Sequence, residues 1–341
     1  MPPVPDDGGV MDAMLQRLKS FWHPVLPSRS LAAHPVPVAL LGTALVLWRG
    51  PDGQPGALDQ RCSHRSASLA GGRISAEGHL CCPYHGWAFD QQGRCRQIPQ
   101  QPGQPIQDCF HTRAYAVEER HGLVWVCLTP EARLPIPALP GLGTDFCRRI
   151  EGFHEQWRCS AFRVIENGLD NFHHYFVHGG VLDALSPIPD PIAGGISVSA
   201  DGLTFSSPLQ LSSTAVLEAT VADHSTRLWV ERTVRWLAPL GLTLDLRWPN
   251  GRRQCIVLFA VPIDAETCTI LRFYLRNDHE EDVCADSVIA LERALIDQDR
   301  RILETMPAGA DPFPADEHLI AADQPIARMR QLLQKFLATS S

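Results

Sequence analysis

Residues 61–90 read RCSHRSASLAGGRISAEGHLCCPYHGWAFD, and two short pieces of that stretch decide how the chain is built. Cys62-Ser63-His64 and Cys82-Pro83-Tyr84-His85 each place one thiol and one imidazole on a tight loop, with seventeen residues between His64 and Cys82. Two such loops make a four-ligand site. Tetrahedral zinc also accepts two Cys and two His, so ligand identity alone leaves the metal open. The order is more telling, because each loop supplies one ligand of each kind. A [2Fe–2S] centre with two thiolates on one iron and two imidazoles on the other needs that arrangement. Around the loops, from Gly53 to Val126, short β-like runs (Leu80–Cys82, Ala88–Asp90, Arg113–Val117, Leu123–Cys127) alternate with Gly, Pro and Asp turn signals. Val36–Trp48 ahead of them reads as strand, turn, strand, and the whole is a small all-β unit.

Arg61-Cys62-Ser63-His64-Arg65 and the run from Cys82 to Asp90 resemble the cluster loops of Rieske oxygenases. The resemblance makes Cys62, His64, Cys82 and His85 the ligands of a [2Fe–2S] cluster and gives Cys81 no role. Tyr84 and Trp87 are expected to shield the cluster from water, as outer residues at metal sites do.

Beyond a linker with four prolines, Pro130 to Leu142, the stretch Phe162–His178 is a helix candidate. It contains Glu166-Asn167-Gly168-Leu169-Asp170-Asn171-Phe172-His173-His174-Tyr175-Phe176-Val177-His178. Asp170 and His173 share a helix face, whereas His173 and His178 stand roughly 140° apart on a regular helix. Chelation by that pair needs a distortion, expected near Phe176 toward Gly179-Gly180. His174 and His178, at i and i+4, are the pair an undistorted helix prefers. The segment resembles the E-N-x-x-D-x-x-H-x4-H element of Rieske oxygenases. That resemblance implies His173 and His178 as ligands of a mononuclear iron, with Asp170 linking them to the cluster and Asn167, supported by Glu166, beside the iron. A facial triad needs one carboxylate more. Ile296-Asp297-Gln298-Asp299-Arg300-Arg301-Ile302-Leu303-Glu304 resembles the family's D-x-x-I-x-E segment, which makes Asp299 the third ligand. Asp297 lies about 200° around the helix from it.

The rest of the chain sets limits. At 341 residues it suits two domains. Hydrophobic residues make up 45% and charged residues 20%, ordinary for a globular protein. A net charge of −8 without any Lys/Arg run excludes the basic stripe that nucleic acid requires. The longest apolar run falls short of the roughly 20 residues that cross a bilayer, so no transmembrane segment is expected. Eleven cysteines, an odd number, behind a start without an export signal suggest a cytoplasmic chain whose thiols bind metal or pack.

The expected organisation is a flexible leader over residues 1–14, a Rieske domain over 15–130 and a catalytic domain over 131–341. The second half reads as strands Ile196–Phe205, Ala215–Val221, Leu228–Leu237, Leu242–Trp248, Cys255–Val261 and Thr269–Leu275, followed by helices Glu280–Met306 and Gln324–Ala338. The fold class is therefore α+β, with an antiparallel sheet flanked by helices, helix-grip-like in the family it resembles. The C-terminal Ala322-Asp323-Gln324 with Ala327-Arg328 and Leu332 resembles the single-component-type branches: monooxygenases, O-demethylases, pheophorbide or chlorophyllide oxygenases.

That resemblance implies O₂-dependent hydroxylation, dealkylation or related oxidation of a small hydrophobic, aromatic or tetrapyrrole substrate, as monooxygenase or dioxygenase. It also implies electrons from a separate reductase or ferredoxin, and a head-to-tail homotrimer in which they pass from His85 of one subunit through Asp170 to His173 of the next. A Rieske electron carrier without oxygenase activity is the alternative, and it would leave some two hundred residues without purpose.

Overall fold

The computed structural model describes all residues except 1–7, 33, 142–144, 189–191, 213, 222, 224, 308–312, 315 and 339–341, together with the side chains of 8–10 and 216. The chain divides into two compact units. One takes Leu15–Ile136 and Val261–Asp264; the other takes Pro137–Ala260 and the chain from Ala265, together with the residues ahead of Leu15. The division thus falls after Ile136, later than the expected boundary at 130, and residue 142 of the expected linker lies outside the described residues.

The smaller unit is built of three small sheets. His23–Pro27, Leu123–Cys127 and Ala116–Arg120 form one; Val36–Leu40, Thr43–Arg49 and Pro55–Asp59 form another. The expected turn between the first two strands of that second sheet is made by Leu41 and Gly42, both at positive φ (50° and 72°), the geometry that suits a two-residue hairpin. The third sheet is Arg73–Ile74, Leu80–Cys81, Ala88–Phe89 and Cys95–Gln97. Trp48, Leu58, Leu69, Leu80 and Phe89 fill the core beneath the two loops and bury Cys62 and Cys82 with them.

The expected flexible leader is corrected in part. Residues 1–7 lie outside the described residues, but Gly8–Leu18 is helical, because Met11, Met14, Leu15 and Leu18 recur at helical spacing and are buried. His23 is also buried, 2% exposed, with a ring nitrogen 3.0 Å from the Leu18 carbonyl oxygen. Burial lowers its pKa to about 4. Between pH 4 and the ordinary histidine value near 6.5 the unfolded chain therefore binds the extra proton, and stability rises with pH. Urea titrations should show the fold weaker at pH 5 than at pH 7 by about 2 kcal/mol from this residue. In His23→Gln that part of the pH dependence should vanish; an unchanged difference would refute it.

The larger unit holds a nine-stranded sheet. Its main path runs Arg148–Trp157, Cys268–Arg276, Arg253–Pro262, Gly241–Arg247, Arg227–Leu237, Gly202–Ser206 and Ala193–Ser199. Leu209–Ser212 pairs beside Arg227–Leu237 and carries Asp183–Ala184. Ala215–Val221, expected as a strand, is a helix. Leu217, Thr220 and Val221 are its buried residues, at helical and not alternating spacing, and the Thr214 hydroxyl accepts the Leu217 amide at its start. Strand Arg148–Trp157 went unforeseen because its inward positions are interrupted by a register shift between Glu151 and His154. The late helix spans Ala285–Leu303, shorter than expected: Glu280 stays ahead of it and accepts the Ala285 amide.

Candidate iron centre and cluster loops

The two cluster loops close in the same way. Ser66 N–H donates to the Cys62 carbonyl at 2.9 Å, and Gly86 N–H to the Cys82 carbonyl at 3.0 Å. Cys62 N–H then donates to Ala67 and Cys82 N–H to Trp87, at 2.9 and 2.8 Å. Each loop reverses through one residue at positive φ, Ser66 at 57° and Gly86 at 75°, where glycine carries no steric cost. The thiols meet: burial and then the neighbouring Cys82 push the Cys62 thiol up to about 11, against the amides of His64 and Arg65. The imidazoles of His64 and His85 meet as a second pair, centroids 4.6 Å apart.

Two buried thiols together and two imidazoles together fit a two-iron cluster divided between sulfur and nitrogen ligands. Trp87 is buried and stacks on His64 at 4.6 Å, as a shield would. Tyr84, by contrast, is 57% exposed and lies against His85, so it does not seal the site. Cys81 ends a strand with its thiol 3.7 Å from its near neighbour's carbonyl, that of His79.

In the larger unit the expected helix over 162–178 is two helices, Ala161–Leu169 and His174–Val177. Ser160 caps the first by accepting the Phe162 amide. The break comes at Asp170, ahead of the expected distortion near Phe176: Asp170 is extended (φ −73°, ψ 137°), and its Oδ1 accepts the Phe172 amide at 2.7 Å and the His173 amide at 3.3 Å. An aspartate offers the backbone this alternative to the helical ladder. His173 becomes the N-cap of the short helix and His178 its C-cap, so two end positions replace the mid-helix pair whose side chains would diverge on a regular helix. Their ring centroids are 5.2 Å apart.

Asp299 completes the group. Its Oδ1 is 3.6 Å from His173 Nε2 and 3.4 Å from His178 Nε2, and the three donor atoms lie within 4.8 Å of one another. It reaches them because Glu292, Leu295 and Asp299 form one stripe of the late helix facing a cavity. Asp297 faces elsewhere and pairs with Arg293 at 3.2 Å. Two further contacts orient the donors: Asn167 Nδ2 donates to Asp299 Oδ1 at 3.4 Å, and Gln298 Oε1 lies 3.0 Å from His178 Nδ1. If that nitrogen carries the proton, Nε2 keeps its lone pair for a metal.

His174, the alternative ligand, has its Nε2 3.0 Å from an Nη1 of Arg232, which can only donate. That lone pair is engaged. Asp170 Oδ1 lies 3.7 Å from His173 Nδ1; burial pushes the Asp170 carboxyl up, but His173 and the two amides outweigh it and hold it low. Glu166 does not support this group. One residue from Asn167 and about 100° around the helix, it joins Arg163 at 2.9 Å and Arg330 at 2.5 Å, and Glu317 bridges the same two arginines. Gln298 and Arg232 were missed in the sequence. Nothing marks Gln298, but Arg232 stands at an inward position of an alternating strand, where a charge is itself a signal.

The donors line a cavity of about 130 Å³ whose apolar wall is nine leucines with Val230, Ile256 and Trp248. Two nitrogens and one carboxylate, held on one side and leaving coordination positions open toward an apolar space, are the donor set of non-haem Fe(II) oxygenases.

Such a centre, paired with a two-thiolate, two-imidazole cluster unit, defines an iron oxygenase of the Rieske class. The chain belongs to that family: residues 157–339 match the vanillate O-demethylase oxygenase C-terminal domain and residues 21–116 match the Rieske [2Fe-2S] domain. It is 29% identical over 300 residues to methylxanthine N3-demethylase NdmB of Pseudomonas putida, covering 84% of this chain and 81% of that protein. It is 35% identical over 177 residues to the 3-chlorobenzoate-3,4-dioxygenase oxygenase subunit of Comamonas testosteroni, a match covering 51% of this chain and 40% of that subunit. The solved structure of Pseudomonas putida CBB5 NdmB superposes with a TM-score of 0.80 at 25% identity, over 94% of this chain and 92% of that one. Among the described residues no helix is long and apolar enough to cross a membrane.

Proposed function

We propose that this chain is the terminal oxygenase of a multi-component system, with Cys62, His64, Cys82 and His85 as cluster ligands and His173, His178 and Asp299 as iron ligands. The observation that carries the reading is the convergence of those last three donors on the wall of an apolar cavity. When bound, the cluster supplies single electrons and the iron a site for activating O₂. The protein's part is positioning. Gln298 fixes the His178 ring, Asn167 holds Asp299, Asp170 sets the entry angle of His173, and the leucine wall excludes water and orients an apolar substrate.

The reaction is hydroxylation or dealkylation of a small ring compound. Support comes from the cavity, close in size to one known to hold a single benzene ring, and from relatives that include demethylases and an aromatic-ring dioxygenase. Electrons come from a separate reductase or ferredoxin. The chain acts as a cytoplasmic homotrimer in which Asp170 and His173 receive them from the neighbour's His85. The nine cysteines other than Cys62 and Cys82, unpaired with one another, suit that compartment. An electron carrier alone would leave the cavity and its donor set without use.

Iron analysis of purified protein should give three irons per chain, and nitric oxide should add an EPR signal distinct from that of the reduced cluster. Two irons and no nitric oxide-dependent signal would leave only the carrier.

A further inference from the structure

Arg232 sits where a core side chain belongs. In Arg227–Leu237 the inward positions are Leu228, Val230, Arg232, Val234 and Trp236, and Arg232 is 3% exposed. It lines the same cavity as the iron donors, among Leu209, Leu244 and Leu246. A guanidinium taken out of water is costly unless a counter-charge meets it, and among the described residues no carboxylate touches this one. Its contacts are neutral: the Asn171 side-chain oxygen and His174 Nε2. Those use two of five N–H donors, and its Nε, fully buried, has no acceptor.

The other cavity charges are accounted for. Arg272 is paired with Glu292, Asp299 faces the two histidines, and Asp170 accepts the Phe172 and His173 amides. Arg232 is therefore a cation with spare donors whose contacts are all neutral and whose counter-charge, Asp170, acts on it without a hydrogen bond, set in the wall of a cavity scaled to one ring.

We propose that the cavity takes a single-ring organic anion and that Arg232 selects it by receiving its carboxylate. The inference deepens the oxygenase reading and rests on it. A carboxylate supplies what the contacts of Arg232 lack, a negative charge and two acceptor oxygens matching the planar fork of arginine. An alternative role, in which Arg232 serves only to hold Asn171 and His174 in place, predicts no preference for charge.

Isothermal titration of the iron-loaded protein under anaerobic conditions with benzoate and with its neutral isostere benzamide separates the two. Benzoate should bind at least tenfold more tightly than benzamide. In Arg232→Gln the ratio should fall to near one, and in Arg232→Lys it should persist in part. Circular dichroism and iron content establish that each variant is folded and loaded; should Arg232→Gln fail to fold, the wild-type ratio and Arg232→Lys decide.

Protein that carries three irons yet binds benzamide as well as benzoate, or binds neither, overturns the anion assignment and leaves the oxygenase reading intact. A benzoate preference that survives in Arg232→Gln overturns it equally. Protein that takes up only two irons overturns the oxygenase reading itself.

Discussion

Asp299→Ala protein is expected to hold two irons per chain where the wild type holds three, and to lose oxygenation altogether. A facial triad has three protein ligands and nothing in reserve. Within the described cavity lining, the remaining carboxylates are Asp170, engaged with two amides, and Glu292, paired with Arg272. His173→Ala should behave in the same way. His174→Ala should keep three irons, because its Nε2 faces the Arg232 guanidinium and not the Asp299 carboxylate. Metal analysis, with the nitric oxide EPR signal as a second reading, checks all three variants. Loss of iron in His174→Ala with retention in His173→Ala would reverse the ligand assignment.

Asp170→Asn should lower turnover by about 100-fold, the upper range for removing an outer partner at a metal site, while iron content stays at three. The side-chain oxygen of asparagine can still accept the Phe172 and His173 amides, so the break between the two helices survives. What disappears is the negative charge 3.7 Å from His173 Nδ1. Asp170→Ala removes the cap as well and should also cost stability, about 1 kcal/mol by analogy with lost helix caps. Turnover rate, iron content and chemical reduction of the cluster, measured on both variants, separate charge from geometry. Wild-type turnover in the asparagine variant would remove Asp170 from the reaction.

Much of this was legible in the residues because it is written in local spacing. The pairing of Val36–Leu40 with Thr43–Arg49, the extent of Gln324–Ala338 and the alternation of the later strands follow from patterns a dozen residues long. What escaped the sequence depends on groups that are distant in it or that act through a side chain. Helical periodicity continues through Asp170 with no interruption, and only the competition of its carboxylate for two amides ends the helix. Ala215–Val221 alternates well enough for a strand, but Thr214 caps it as a helix. At the site, Asp299 and the two histidines are more than a hundred positions apart, and the family pattern brought them together before any geometry did. Arg232 was readable and overlooked: a cation at an inward strand position is worth a question wherever it occurs.

The cluster loops are asymmetric in their exposure. Cys62 and Cys82 are sunk among Trp48, Leu69 and Leu80, while His64 and the Tyr84 ring beside His85 reach solvent. The sulfur end is insulated and the nitrogen end is a terminal. With the cluster in place, electrons would enter and leave this unit on its imidazole side, because the thiolate side is covered by the apolar core.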